Sequence, residues 1–70
     1  MYKESFPSKI KKARENMGLT QQQVEEETKI SQSTLSKYET GKLEPDIETL
    51  GILADLYEVS IDWLIGTKKN

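Results

Sequence analysis

The sequence predicts an all-α, compact domain built from five short helices. Apolar residues recur at helical spacing, and no segment shows the sustained alternation that is typical of a strand. Each apolar segment follows a residue type that caps helices. The chain has 70 residues, 34% of them hydrophobic, which is enough for one small core. We therefore expect a single domain over residues 6–66, with its core in 10–64 and a flexible tail at 67–70.

The first helix is expected from about Phe6 to Met17, with Ser5 as its cap and Gly18 as its end. Pro7 is tolerated in this first turn, because the N–H groups there have no partner within the helix. The side chains expected to face the core are those of Phe6, Ile10, Ala13 and Met17.

A second, short helix is expected to reach about Thr28. It begins after Thr20, which forms the pattern of a capping box with Gln23. Acidic residues 25–27 lie near the start of this helix, where negative charge suits the helix dipole.

The third helix is expected over about Gln32 to Thr40, capped by Ser31 and ended by Gly41 in a left-handed conformation. Its apolar residues are Leu35 and Tyr38. The motif formed by the second and third helices therefore covers about residues 21–40.

The last two helices are expected over Ile47–Tyr57, capped by Asp46, and over Ile61–Ile65, capped by Ser60 and closed by Gly66. The fourth helix presents as apolar residues Ile47, Leu50, Leu53, Ala54 and Tyr57.

The composition excludes several function classes. Cysteine and histidine are both absent, which removes disulfides, Cys/His zinc sites and catalytic pairs of the Ser–His or Cys–His type. We therefore expect neither an enzyme nor a bound metal or cofactor. No stretch has the length of a membrane span, and the N-terminus has no apolar secretion segment, so the expected location is the cytoplasm.

Charge is distributed unevenly along the chain. Net charge is −2, yet residues 1–42 hold eight Lys/Arg against six Asp/Glu, whereas residues 43–70 hold two against six. A mildly basic half can therefore bind an anionic partner although the average is acidic.

The outward face of the third helix is the most informative feature. With Leu35 and Tyr38 inward, its exposed residues would be polar, with one cation. Such side chains suit the reading of base edges in a major groove, although any solvated helix also has a polar face. Two short helices joined by a tight turn favour the first interpretation, because they form a helix-turn-helix pattern. The residues of this face are Gln32, Ser33, Ser36, Lys37 and Thr40.

Five segments of the sequence, in their order and spacing, resemble the Cro/C1-type (Xre-type, lambda-repressor-like) helix-turn-helix family. The similarity covers nearly the whole chain, and it is carried by Leu19–Val24, Ile30–Lys42, Pro45, Leu50 with Leu53-Ala54, and Val59–Gly66.

The resemblance implies a role for individual residues. Base-reading positions are matched by Gln32, Ser33, Thr34 and Lys37. Positions near the DNA backbone are matched by Gln21, Ser31 and Lys42. A partly buried ion pair is matched by Arg14 and Glu39, and a core tryptophan by Trp63. A dimer contact is matched by Val59, Ile61, Leu64 and Ile65, for which burial in the core is the competing interpretation.

Two residues depart from the family pattern. Glu25 stands where alanine is usual, so its carboxylate is expected either to extend into water or to pair with Lys29 or Lys37. Lys29 stands where the turn usually has glycine, and a left-handed lysine costs on the order of 1 kcal/mol.

The resemblance implies a protein that binds duplex DNA at a near-palindromic operator and regulates transcription, most simply as a dimeric repressor. It implies a homodimer, formed either in free solution or only on DNA, and an origin in a prokaryote, phage or mobile element. The acidic half of the chain keeps a second interpretation open, in which the domain binds a protein partner or antirepressor.

Overall fold

The computed structural model describes residues 6–66, and this part of the chain is all-helical, as predicted. Its element order is α1 (Phe6–Asn16), α2 (Gln21–Thr28), α3 (Gln32–Thr40), α4 (Ile47–Tyr57) and α5 (Ile61–Ile65). The predicted cap at Ser5 and the predicted flexible tail at 67–70 lie outside the described residues. Among residues 6–66, no helix combines the length and the apolar character needed to cross a bilayer.

Local capping interactions explain where the helices begin. Thr20 and Gln23 form both hydrogen bonds of the capping box at the start of α2. The side chains of Ser31, Asp46 and Ser60 each accept a hydrogen bond from the N–H group three residues later. These contacts confirm the predicted starts of four helices, because each satisfies an N–H group that the helix itself leaves unpaired.

A single apolar cluster holds the helices together. α1 packs against α3, α4 and α5, while α2 packs against α3 and α4 packs against α5. Full burial of one such side chain stabilises the fold by about 1.5–3 kcal/mol. The buried members are Phe6, Ile10, Ala13, Val24, Leu35, Tyr38, Leu50, Leu53, Ala54, Tyr57 and Leu64.

Two residues predicted to face the core are exposed. Met17 follows the last residue of α1, and its N–H group bonds to the carbonyl of Arg14 as the chain turns away from the helix. Ile47 is the first residue of α4 and is 69% exposed. Both lie at a helix end, where the apolar stripe extends beyond the neighbouring helices that would cover it.

Trp63 and Leu64 differ from the roles that the resemblance implies. Leu64 is fully buried, whereas Trp63 is 37% exposed and is therefore not a core tryptophan. The Lys9 ammonium lies 5.1 Å from the centroid of the indole ring and donates a 3.0 Å hydrogen bond to the Trp63 carbonyl. Leu64 is the one residue of α5 that is fully buried.

Left-handed residues make the connections around α3 short. Lys29 has φ 68° and donates its N–H group to the Glu25 carbonyl at 2.7 Å. At the other end of α3, Gly41 has φ 82°. A Cβ atom added there would lie 3.3 Å from Cγ of Pro7, so glycine serves both the backbone conformation and the close approach of α1.

Replacing Lys29 with glycine should raise the free energy of unfolding by about 1 kcal/mol, because the left-handed conformation then carries no Cβ penalty. Lys29→Ala is the matched control, since it removes the same charge but keeps the Cβ atom. Urea denaturation of both variants measures the effect. If Lys29→Ala raises the free energy of unfolding as much as Lys29→Gly does, the lost charge rather than the lost Cβ atom is the cause.

Candidate nucleic-acid interface

The position of α3 depends on an ion pair between Arg14 and Glu39. Nε and Nη2 of Arg14 donate to the two carboxylate oxygens of Glu39 at 2.7 and 3.0 Å. Nη1 of Arg14 donates to the Leu19 carbonyl at 2.8 Å, and Nε2 of Gln21 donates to Oε1 of Glu39 at 3.1 Å. A planar guanidinium suits this two-pronged contact. The pair that the resemblance implies therefore joins α1, α2 and α3.

Both members of this pair are largely removed from water. Their side chains are 11% and 5% exposed. The hydrogen bond with Glu39 raises the pKa of Arg14, which favours the charged guanidinium in the folded protein. Loss of either partner would leave the other charge partly desolvated and unpaired.

Four side chains at the start of α3 define its outer surface. Gln32, Ser33 and Lys37 are exposed. Thr34 is half-buried; its N–H group donates to Oγ of Ser31 at 3.2 Å, and the two hydroxyls lie 3.0 Å apart in a hydrogen bond. Thr34 thus also stabilises the helix start, which leaves its side chain less able to contact a partner than those of its three neighbours.

The residues expected near a DNA backbone surround this surface. Ser31 and Lys42 are exposed, while Gln21 is half-buried and bonded to Glu39. The N–H group of Lys42 donates to the Lys37 carbonyl at 2.9 Å, so the end of α3 holds the backbone of Lys42 in place. Gln21 therefore supports α3 through Glu39 and offers less free surface than the other two residues.

Glu25 adopts neither of the two arrangements expected for it. Its Oε1 accepts a 3.0 Å hydrogen bond from the N–H group of Gln32, the first residue of α3. No sequence motif indicated this contact; the only signal is a carboxylate placed on the helix before the turn. A shallow depression of about 400 Å³ lies beside it, lined by Gln22, Glu25, Glu26, Lys29 and Gln32.

The C-terminal apolar residues offer less surface than expected. Val59, Ile61 and Ile65 are half-buried and pack against the core. Leu64 has no exposed surface, so its expected place in a dimer contact is corrected: the core of a single copy already buries it.

Comparison with known proteins identifies this arrangement. A family model described as helix-turn-helix matches residues 10–64. The chain belongs to this family, the Cro/C1-type helix-turn-helix regulators. The matched range includes the Arg14–Glu39 pair, the turn at Lys29 and all of α3.

Curated relatives of this helix-turn-helix chain are regulators of transcription. The chain is 40% identical to the HTH-type transcriptional regulator ImmR of Bacillus subtilis over 94% of its length and 55% of the relative. It is 38% identical to the SPbeta prophage-derived regulator YonR of the same organism, over 86% of this chain and 56% of the relative. The HTH-type transcriptional activator BcrR of Enterococcus faecalis is 35% identical over 87% of this chain and 30% of the relative.

The helix-turn-helix chain spans about half the length of the first two of these relatives. Because the family and its relatives are regulators, the expectation that the chain is not an enzyme is confirmed. Among residues 6–66, His, Cys, Asp and Glu form no cluster that could hold a metal ion.

Tyr57 lies in the core, close enough to Arg14 and Glu39 for both charges to act on its hydroxyl. It is 2% exposed, and within the described part of the chain its hydroxyl has no hydrogen-bond partner. The pKa of Tyr57 is raised to about 12, chiefly by burial and also by the charge of Glu39, while the charge of Arg14 acts in the opposite direction.

Tyr57→Phe should raise the free energy of unfolding at pH 7 by about 1 kcal/mol, because it removes a buried hydroxyl without a partner. The wild type should also lose stability as pH rises from 10 to about 12, since the unfolded chain ionises this phenol first. The advantage of phenylalanine should therefore grow between pH 7 and 11 in urea titrations. If Tyr57→Phe is less stable than the wild type at pH 7, the hydroxyl of Tyr57 has a stabilising partner.

Proposed function

We propose that this domain binds double-stranded DNA sequence-specifically and so regulates transcription. The observation that carries the proposal is the exposed start of α3, where Gln32 and Ser33 project from a helix that the Arg14–Glu39 pair holds in place. In a helix-turn-helix, the first residues of the second helix contact base edges in the major groove.

The side chains of α3 have the chemistry for this role. The amide of Gln32 can form two hydrogen bonds with adenine, and the hydroxyl of Ser33 can donate to or accept from several bases. Lys37, one turn later, suits guanine acceptors or a phosphate. The Thr34 hydroxyl accepts from Ser31 and keeps its own O–H group as a donor for a base. Backbone contacts are assigned to Gln21, Ser31 and Lys42, which border the same surface.

We further propose that the protein represses by occupancy of a promoter or operator in the cytoplasm, and that it is of prokaryotic, phage or mobile-element origin. Occupancy requires no surface besides the one that binds DNA, whereas activation requires a second contact. One relative is derived from a prophage, which supports an origin in a phage or mobile element. Another relative is an activator, so experiment must decide between repression and activation.

Gln32→Ala and Ser33→Ala should leave the fold intact and change which DNA sequence is preferred. Loss of a good base contact costs roughly 1–3 kcal/mol at one base pair. Selection of bound sequences from random DNA, at one salt concentration, measures the preference. Glu48→Ala on α4 is the control and should keep the wild-type preference. If both α3 variants also keep it, α3 does not read the bases.

A dimer would allow two copies of α3 to read a near-palindromic operator. The surface proposed for it consists of Val59, Ile61 and Ile65, whose half-buried side chains extend the core to the surface at α5. A two-fold contact would set the two recognition helices roughly 34–36 Å apart, one turn of DNA. Because the exposed area is small, we expect a monomer in dilute solution and dimerisation on DNA.

Ile65→Glu should abolish cooperative filling of two half-sites, because a carboxylate in an apolar contact is desolvated without a partner. Circular dichroism establishes that the variant keeps its helices, and gel shifts on one and two half-sites measure cooperativity. Ile52→Glu is the matched control, since Ile52 is already exposed on α4. Unchanged cooperativity in a folded Ile65→Glu protein would move the contact to another surface.

A second candidate function is binding of a protein partner or antirepressor. Residues 43–66 carry six Asp/Glu and no Lys/Arg, and within them Ile47 and Ile52 are exposed on α4. A gel shift on genomic fragments at rising salt discriminates the two, because phosphate contacts make binding fall steeply with salt. Absence of any shift at low salt would favour the protein partner.

A further inference from the structure

We propose that Glu25 is a positioning residue that sets the sequence specificity of α3 by holding the first N–H group of that helix. The inference deepens the proposed function and rests on it. Glu25 itself lies on α2, and no base contact is assigned to it. It acts through Gln32, whose backbone it holds and whose side chain reads the base.

Glu25 bonds to the chain on both sides of the turn between α2 and α3. Its carbonyl oxygen accepts from the N–H group of Lys29 at 2.7 Å, which closes α2 in a left-handed turn. Its Oε1 accepts from the N–H group of Gln32 at 3.0 Å, seven residues along the chain. One residue therefore bonds to the backbone on both sides of the turn, through its carbonyl group at the end of α2 and through its side chain at the start of α3.

The carboxylate also occupies a place that would suit a phosphate. A helix N-terminus carries unpaired N–H groups and a partial positive charge, and it attracts anions. In α3 the N–H group of Gln32 is taken by Glu25 and that of Thr34 by Ser31. A DNA phosphate thus meets an N-terminus at which two N–H groups already have an internal acceptor.

Two consequences favour specific over random DNA. Phosphate capture at the start of α3 would stabilise complexes in which the base contacts are not made, whereas on an operator those contacts fix the position of α3. Its prevention therefore lowers binding to random DNA more than binding to an operator. The same bond fixes the backbone from which the Gln32 side chain extends, and a bidentate base contact tolerates little change in that starting point.

The experiment compares three variants that separate the bond from the charge. Glu25→Ala removes both the acceptor and the charge. Glu25→Gln removes the charge but keeps an acceptor oxygen at the same reach. Glu26→Ala, at the exposed neighbouring residue, removes an equal charge without touching α3. The quantity measured is the ratio of the Kd for random DNA to the Kd for the operator selected from random sequences.

We expect this ratio to fall about three- to tenfold in Glu25→Ala, the effect of one lost hydrogen bond of ordinary strength. It should stay within about twofold of the wild type in Glu25→Gln and Glu26→Ala. A purely structural loss would reduce the folded fraction and weaken both affinities by one factor, which leaves the ratio unchanged. A ratio in Glu25→Ala equal to that in Glu25→Gln would overturn the proposal.

Hydrogen exchange of the Gln32 amide provides a readout without DNA. The amide should exchange faster in Glu25→Ala than in the wild type, and the glutamine variant should restore the protection. Equal exchange in all three proteins would also overturn the proposal. If the wild type does not distinguish operator from random DNA, the proposed function fails and the specificity role with it, while exchange still decides whether the bond forms.

Discussion

The arrangement of this domain depends on the ion pair between Arg14 and Glu39. Arg14 lies on α1 and Glu39 on α3, and Gln21 at the start of α2 donates a hydrogen bond to Glu39. In a pair this far removed from water, loss of one partner costs about 3–5 kcal/mol. A domain of this length has a total stability of the same order. Removal of one partner would therefore cost an amount comparable to the net stability of the fold.

The apolar core explains why such a contact is needed. Each helix is too short to be stable in isolation, so its direction is set by what it packs against. Leu35 and Tyr38 attach α3 to the core by its inner face, but apolar packing is not directional. The bidentate bonds to Glu39 supply direction, because a guanidinium and a carboxylate meet in one plane. The outer face of α3 is thereby presented in one orientation.

The turn between α2 and α3 shows how two unusual residues are accommodated. Lys29 adopts a left-handed conformation in which glycine is usual, at a modest energetic cost. Glu25, placed where a small residue is usual, finds its partner in the N–H group of Gln32. Both adjustments are local, and the five helices keep the order predicted from the sequence.

The sequence by itself determined the helices, their limits and the family. Caps such as Thr20, Ser31 and Asp46 act within three residues, so their effect can be read directly from the order of residues. The polar start of α3 followed in the same way, since the positions of Leu35 and Tyr38 define its opposite face.

Only the tertiary structure decided which apolar residues are covered and where Glu25 bonds. Helical spacing assigns a residue to a face, but neighbouring helices determine how far along that face the cover extends. For this reason Ile47 is exposed at the start of α4, and Leu64 rather than Trp63 enters the core from α5. The Glu25–Gln32 bond likewise requires the crossing of α2 and α3, a relation in space that the linear order of residues does not contain.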